Sequence, residues 1–235
     1  MGSFATTRWS LVVASCGDSA DARAALDALC SAYRAPILAF VRRHGHAKQE
    51  AEDLVQAFFL ALIEHRYQAA ADPARGPFRT FLLLALKRFL SKAAAREHAV
   101  KRGGGRDFVA YDGDEAPTGG AAAAAESPEA AFDRYWALTV LNRALARLEH
   151  EAGQAGKAEL FERLRVHVAD GAEAHDYDAD ARALGVAPNT VAVAVYRLRK
   201  RLREIVREEL ADTVSDAKHL DDELGSLRAA LGGAV

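Results

Sequence analysis

Cysteine is nearly missing from this chain, and strand-like patterning is missing altogether. The two cysteines, Cys16 and Cys30, stand fourteen residues apart with no second pair to complete a metal cage. They read as reduced thiols of a cytoplasmic protein rather than as a disulfide framework. No apolar run approaches the ~20 residues that a membrane span needs, and the first residues, with a single Arg, show no signal-peptide pattern. Sustained alternation rich in β-branched residues is absent, so no Gly-rich phosphate loop follows a strand. Ser10 and Ser15 have no His and Asp at a recognisable catalytic spacing. His44 and His46 lack a Cys or carboxylate at ligand spacing and read as loop residues. The expectation is a protein without catalytic activity, cofactor or metal.

What is present is helix and segregated charge. Half of the 235 residues are apolar, enough to exclude a wholly disordered chain. The net charge of −2 hides its distribution: residues 87–106 hold seven Lys or Arg against one acid, while residues 107–133 hold seven acids and no base. Residues 197–207 hold six further Arg or Lys, followed by an acidic tail. Such blocks point to anionic partners at two places.

Apolar residues recur at helical spacing almost everywhere. Leu26, Leu29, Cys30 and Tyr33 lead to Ile37, Phe40 and Val41. Leu54, Val55, Phe58, Phe59, Leu62 and Ile63 form one wide apolar face, with Glu52, Asp53 and Gln56 off it. After Gly76 and Pro77 a long helix is expected from Phe78 to about His98, burying Phe78, Leu82, Ala85 and Phe89. Glycines, a run of alanines and scattered acids then mark residues 103–128 as a flexible linker. The expected fold is all-α: two small helical domains, 20–102 and 129–211, joined by that linker. An N-terminal segment, 1–19, and a C-terminal helical extension, 212–235, flank them. The extension carries Leu220, Leu224, Leu227 and Leu231 as a stripe. It reads as a helix closing the second domain; the other reading is an acidic helix that masks the basic surfaces.

The second domain carries a helix-turn-helix pattern. Gly185 sits where a first helix must end in a left-handed residue, and Pro188 suits the first turn of the next. In that second helix Val191, Val195, Leu198 and Leu202 face the core, and Asn189, Val193, Tyr196 and Lys200 lie opposite. Such a helix can enter the major groove of DNA, its polar N-terminal residues reaching base edges and its basic half meeting phosphates.

These motifs, in this order, resemble the extracytoplasmic-function subfamily of sigma-70 RNA polymerase sigma factors. The segment EAEDLVQAFFLAL at 50–62 resembles that family's polymerase-binding helix, YRAPILAFVRR at 33–43 the helix before it, and FRTFLLLALKRFL at 78–90 its promoter-melting and minus-ten helix. LGVAPNTV at 184–191 and YRLRKRL at 196–202 are similar to its minus-thirty-five domain. FATTRWS at 4–10, ADPARGPFR at 71–79 and ADTV at 211–214 resemble one subgroup. The resemblance implies bacterial core RNA polymerase and promoter DNA as partners, with Glu52, Asp53 and Gln56 on the polymerase. It places Lys87, Arg88, Lys92 and Arg96 on DNA near the minus-ten element, and Asn189, Thr190, Tyr196, Arg197, Lys200 and Arg201 on the minus-thirty-five element. A regulatory protein, an anti-sigma factor or a kinase, is a further partner consistent with that subgroup.

Six departures from the family pattern stand out, among them Ala57 where an acid is frequent and Ala192 where a Lys is frequent. Arg88 and Lys92 make their helix more basic than is usual. Asp180 takes a usually aliphatic place, so its carboxylate must be exposed or paired. Ala187 stands where a Ser cap is frequent, a loss of about 0.5–2 kcal/mol if nothing else caps the helix. Two other functions fit parts of the pattern: a stand-alone helix-turn-helix regulator, and a degenerate sigma-like adaptor that only binds proteins.

Overall fold

The computed structural model describes residues 12, 15, 19–72, 75–103, 126–169, 177–211, 214 and 217–232. All regular structure among them is helical, in eight α-helices and one short 3₁₀ turn. The fold is all-α. Cys16, the 4–10 motif, residues 104–125 of the expected linker and Asp212 and Thr213 lie outside the described residues.

The chain divides into two compact units, with the boundary between Tyr135 and Trp136. In the first, α1 spans Ala20–Arg43, α2 Lys48–Glu64 and α3 Phe78–Gly103, with the 3₁₀ turn Tyr67–Ala70 after α2. Ser19 caps α1 by accepting a 3.1 Å bond from the Ala22 amide, and Asp21 lies in its first turn, where the helix dipole favours an acid. Arg42 and Arg43 close its last turn. The helix runs through Pro36, which is buried. By length and composition α1 could pass as a membrane span, but half of its apolar stretch is buried inside the unit, as in a core helix.

The three helices meet along Leu29, Tyr33, Ile37 and Phe40 of α1, Val55, Phe58 and Leu62 of α2, and Phe78, Leu82, Leu86 and Leu90 of α3, all buried. The stripe of α3 differs from expectation: Leu86 and Leu90 are buried, whereas Ala85 and Phe89 are only half-buried. Steps of four residues from Leu82 bring Leu86 and Leu90 under the first two helices, and Phe89 meets Phe58 edge-on from the side, at 5.6 Å between ring centroids. Phe132, from the start of α4 (Pro128–Gln154), completes this core. It is fully buried and stacks on Tyr33, which also meets Phe78 edge-on.

The second unit holds the rest of α4, then α5 (Ala158–Ala169), α6 (Asp178–Leu184), α7 (Pro188–Ala211) and α8 (Ala217–Ala230). Leu164, Ala181, Val191 and Val195 form one cluster, with Leu160, Tyr177, Leu184 and Leu198 packed around it. Further along α7, Leu202, Ile205, Val206 and Leu210 are buried, and α8 packs on that helix with Leu220 and Leu227 buried. Leu224 and Leu231 are half-buried.

Candidate polymerase and nucleic-acid interfaces

On α2 the buried face is Ala51, Val55, Phe58 and Leu62. Glu52, at the border of that face, is half-buried and ion-paired with Arg34 of α1, a partner 18 residues away that periodicity alone could not name. Asp53 and Gln56 are exposed. One and two turns on, the same face continues into Leu60 and Ile63, which are 56% and 43% exposed. Ile63 belongs to the wide apolar face read from the sequence, but the structure leaves it outside the core, because Leu62 takes the buried place beside Phe58. The outer side of α2 is therefore an acid and an amide followed by two apolar side chains. That composition suits a basic partner with some apolar surface.

On α3 the exposed cations are Lys87, Arg88, Lys92 and Arg96. Lys87 is held from two sides: its Nζ lies 2.7 Å from Glu129 Oε1 at the start of α4 and 6.0 Å from the centre of the Phe40 ring. The hydrogen bond from Lys87 keeps the Glu129 carboxyl below its ordinary pKa. The same turn of α4 sends Asp133 to Arg79, at 2.6 Å, and Glu126 just before it meets Arg134 at 2.8 Å and Arg43 at 3.5 Å. Glu126 is likewise held below its ordinary value, chiefly by its hydrogen bond from Arg134. Phe81 and Phe89 are half-buried, and Phe78 is fully buried in the core.

In the second unit a short turn joins α6 to α7. Gly185 ends α6 at φ 66°, a left-handed conformation that glycine adopts without strain. Its amide reaches the Arg182 carbonyl at 3.3 Å and the Val186 amide reaches that of Ala181 at 3.0 Å, satisfying carbonyls that the helix end would otherwise orphan. At the start of α7, Pro188 needs no amide partner, which offsets part of the missing side-chain cap at Ala187. Val191, Val195 and Leu202 face inward and Leu198 is half-buried, while Asn189, Thr190, Val193, Tyr196, Arg197 and Lys200 are all exposed.

Arg201 is placed differently from its neighbours. Its guanidinium lies 2.8 Å from Glu151 on α4, 3.2 Å from Glu204 and 3.1 Å from Glu208. These carboxylates hold its proton more tightly than usual, with the Glu151 hydrogen bond the largest cause. A phosphate contact by Arg201 requires exchanging them. Arg199 points away from the outer face and donates twice to the His167 carbonyl, at 2.9 and 2.6 Å. Between Pro188 and Arg203 the cations presented outward are thus Arg197, Lys200 and Arg203. Asp180 is paired, as its position required: His167 Nε2 donates to it at 2.6 Å and Arg163 lies at 3.0 Å. Among the described residues, no cluster of His, Cys, Asp or Glu is arranged to hold a metal. Cys30 is a free thiol whose pKa is pushed up to about 11, mainly by burial and further by Asp27.

Residues 29–99 match the family model described as sigma-70 region 2. The match runs from within α1 to within α3 and contains Glu52, Asp53, Gln56, Lys87, Arg88, Lys92 and Arg96. It supports a sigma-70 family factor acting in RNA polymerase binding and promoter melting. No curated protein and no solved structure matches the chain.

Proposed function

We propose that this protein is a sigma factor of the extracytoplasmic-function type, acting in the cytoplasm to direct core RNA polymerase to promoters. The observation that carries the reading is the match of residues 29–99 to sigma-70 region 2, in a segment where α2 exposes Asp53 and Gln56 and α3 exposes a row of cations. In this reading domain 20–102 docks on the polymerase through Glu52, Asp53 and Gln56. Its Lys87, Arg88, Lys92 and Arg96 attract the phosphates around the minus-ten element. Residues 103–128 link it to domain 129–211, whose first turns carry Phe132 into the core of the first unit and whose helix-turn-helix takes the minus-thirty-five element through Asn189, Thr190, Tyr196, Arg197 and Lys200, with Arg201 only after it leaves its carboxylates. The extension 212–235 closes the second domain.

The deciding experiment is run-off transcription with bacterial core polymerase and this protein, alongside pull-down of core. Initiation from a defined start together with core binding is the expected result. Core binding without initiation at any promoter instead supports an adaptor. Duplex binding with no core binding supports a stand-alone regulator.

A further inference from the structure

Val193 and Tyr196 occupy a place on α7 that the fold does not explain. They lie on the face opposite Val191, Val195 and Leu202, and are 41% and 62% exposed. A β-branched valine at an exposed helical position is a poorer helix former than alanine, so nothing in the folded second unit is gained by it. Asn189 precedes these residues by one turn on the same face, and Lys200 follows by one turn; Arg197 and Arg203 flank the row. From Pro188 to Arg203 the helix carries no acid. An apolar spot framed by cations and led by an amide does not suit an acidic protein surface alone. It suits a polyanion that also presents methyl groups, which in the major groove of DNA means thymine.

We propose that Val193 reads the C5-methyl of a thymine in the major groove, with Tyr196 as the neighbouring apolar wall. This deepens, and rests on, the reading of α7 as a duplex-binding helix. Four residues of helix advance about 6 Å, a little under two base-pair steps of about 3.4 Å. A base edge contacted by Asn189 and the thymine contacted by Val193 therefore lie within about two base pairs of each other. Asn189 suits adenine, whose N6 and N7 it can pair in a bidentate way. The preferred duplex then carries an adenine and, within about two base pairs of it, a thymine recognised by its methyl group rather than by hydrogen bonds.

The test uses the full chain. Duplexes retained from a random pool at low salt are measured by fluorescence anisotropy, with each thymine replaced in turn by uracil, which lacks only the methyl. For the wild type, one replacement weakens binding about fourfold, the change expected from losing one buried methyl. Val193→Ala binds the uracil duplex as tightly as the wild type does and is indifferent to that replacement. Its exposed helical position leaves the fold intact, which circular dichroism verifies. If every thymine-to-uracil change leaves wild-type binding unaltered, or if Val193→Ala keeps the discrimination, methyl readout is overturned while duplex binding stands. If no duplex is retained, the duplex-binding reading falls and the methyl readout falls with it.

Discussion

His167 Nε2 donates a 2.6 Å hydrogen bond to Asp180 Oδ2, and the carbonyl of the same histidine accepts two bonds from Arg199. One residue thereby joins α5 to α6 through its ring and α5 to α7 through its backbone. Arg163 meets the other oxygen of Asp180 at 3.0 Å, and the ring of Tyr177 stands edge-on to that of His167. Asp180 is thereby a fastening point between α5 and α6 rather than a weak place in α6.

Asp180→Asn keeps the shape but removes the charge that His167 and Arg163 share. Hydrogen bonds to a charged group contribute about 1.5–3 kcal/mol, and the amide can retain part of that. The expected loss is about 1 kcal/mol, with Asp180→Ala losing more because His167 and Arg163 are then left facing no acceptor. Denaturant unfolding of the wild type and both variants measures it. Equal midpoints would mean that solvent replaces the carboxylate at no cost.

Acid should loosen the second unit through three carboxyls held below their ordinary pKa values. Glu151 is lowered chiefly by its hydrogen bond from Arg201, and Asp180 by that from His167. For Glu208 burial pushes upward, but the hydrogen bonds from Arg201 and Arg147 outweigh it and the net direction is down. A group whose folded pKa is depressed stabilises the fold above its unfolded value, and that stability is lost as the pH falls through the folded value. The reference values are 4.5 for the two glutamates and 3.8 for the aspartate. Stability should therefore be full near neutrality and decline from about pH 4.5 downward. Glu151→Gln should unfold over a shallower acid range, read by far-ultraviolet circular dichroism against pH. An unchanged acid profile would sink the idea that this network is what acid disrupts.

The parts that were legible in the sequence are those whose cause is local. Gly185 and Pro188 announce the turn because each is chosen by its own backbone geometry, and the stripe Val191, Val195 and Leu202 follows from helical spacing alone. On α3 the apolar residues between Phe81 and Leu90 offer two overlapping stripes, and only the helices packed against them select Leu86 and Leu90 over Ala85 and Phe89. Ile63 failed for a similar reason: an apolar face wider than its partner surface leaves its edge in solvent. Arg79 and Asp133 are separated by 54 residues, and Glu151 and Arg201 by 50. No spacing rule reaches such pairs. Asp180 lies between these cases: its need for a partner could be read from its surroundings, but His167 and Arg163 could not.

Phe132 tests whether the first turns of α4 belong to the core of the first unit. It is fully buried against Tyr33, and truncating a buried phenylalanine costs about 3–5 kcal/mol. That is a large fraction of the roughly 5–15 kcal/mol by which domains are usually stable. Phe132→Ala should lower the unfolding midpoint sharply and open protease sites within residues 20–103 first. Glu129→Gln, which loses only the exposed pair with Lys87, should shift the midpoint little. If both variants unfold like the wild type, α4 adds nothing to that core.

Asp53 and Glu52 separate docking from folding. Asp53 is exposed, so Asp53→Lys should leave thermal unfolding nearly unchanged while core polymerase recovered in pull-down falls severalfold. Glu52 is paired with Arg34, so Glu52→Lys places a cation beside a cation and should reduce both stability and core binding. Full core binding by Asp53→Lys would remove α2 from the interface.

Lys200 and Arg201 lie side by side on α7 but should respond differently to salt. Each phosphate neutralised by a cation releases counterions, so the slope of log affinity against log salt reports how many cations touch DNA. Lys200 is exposed, and Lys200→Ala should reduce the magnitude of that slope by about one while weakening binding to all duplexes similarly. Arg201 already holds Glu151, Glu204 and Glu208. Arg201→Ala should therefore leave the slope nearly intact and act on stability instead, because three carboxylates are left without their common cation. Anisotropy titrations at several salt concentrations, paired with thermal unfolding, distinguish the two variants. If Arg201→Ala flattens the slope as Lys200→Ala does, the carboxylates release their arginine when DNA arrives, and the network is a displaceable guard on the basic helix rather than part of its frame.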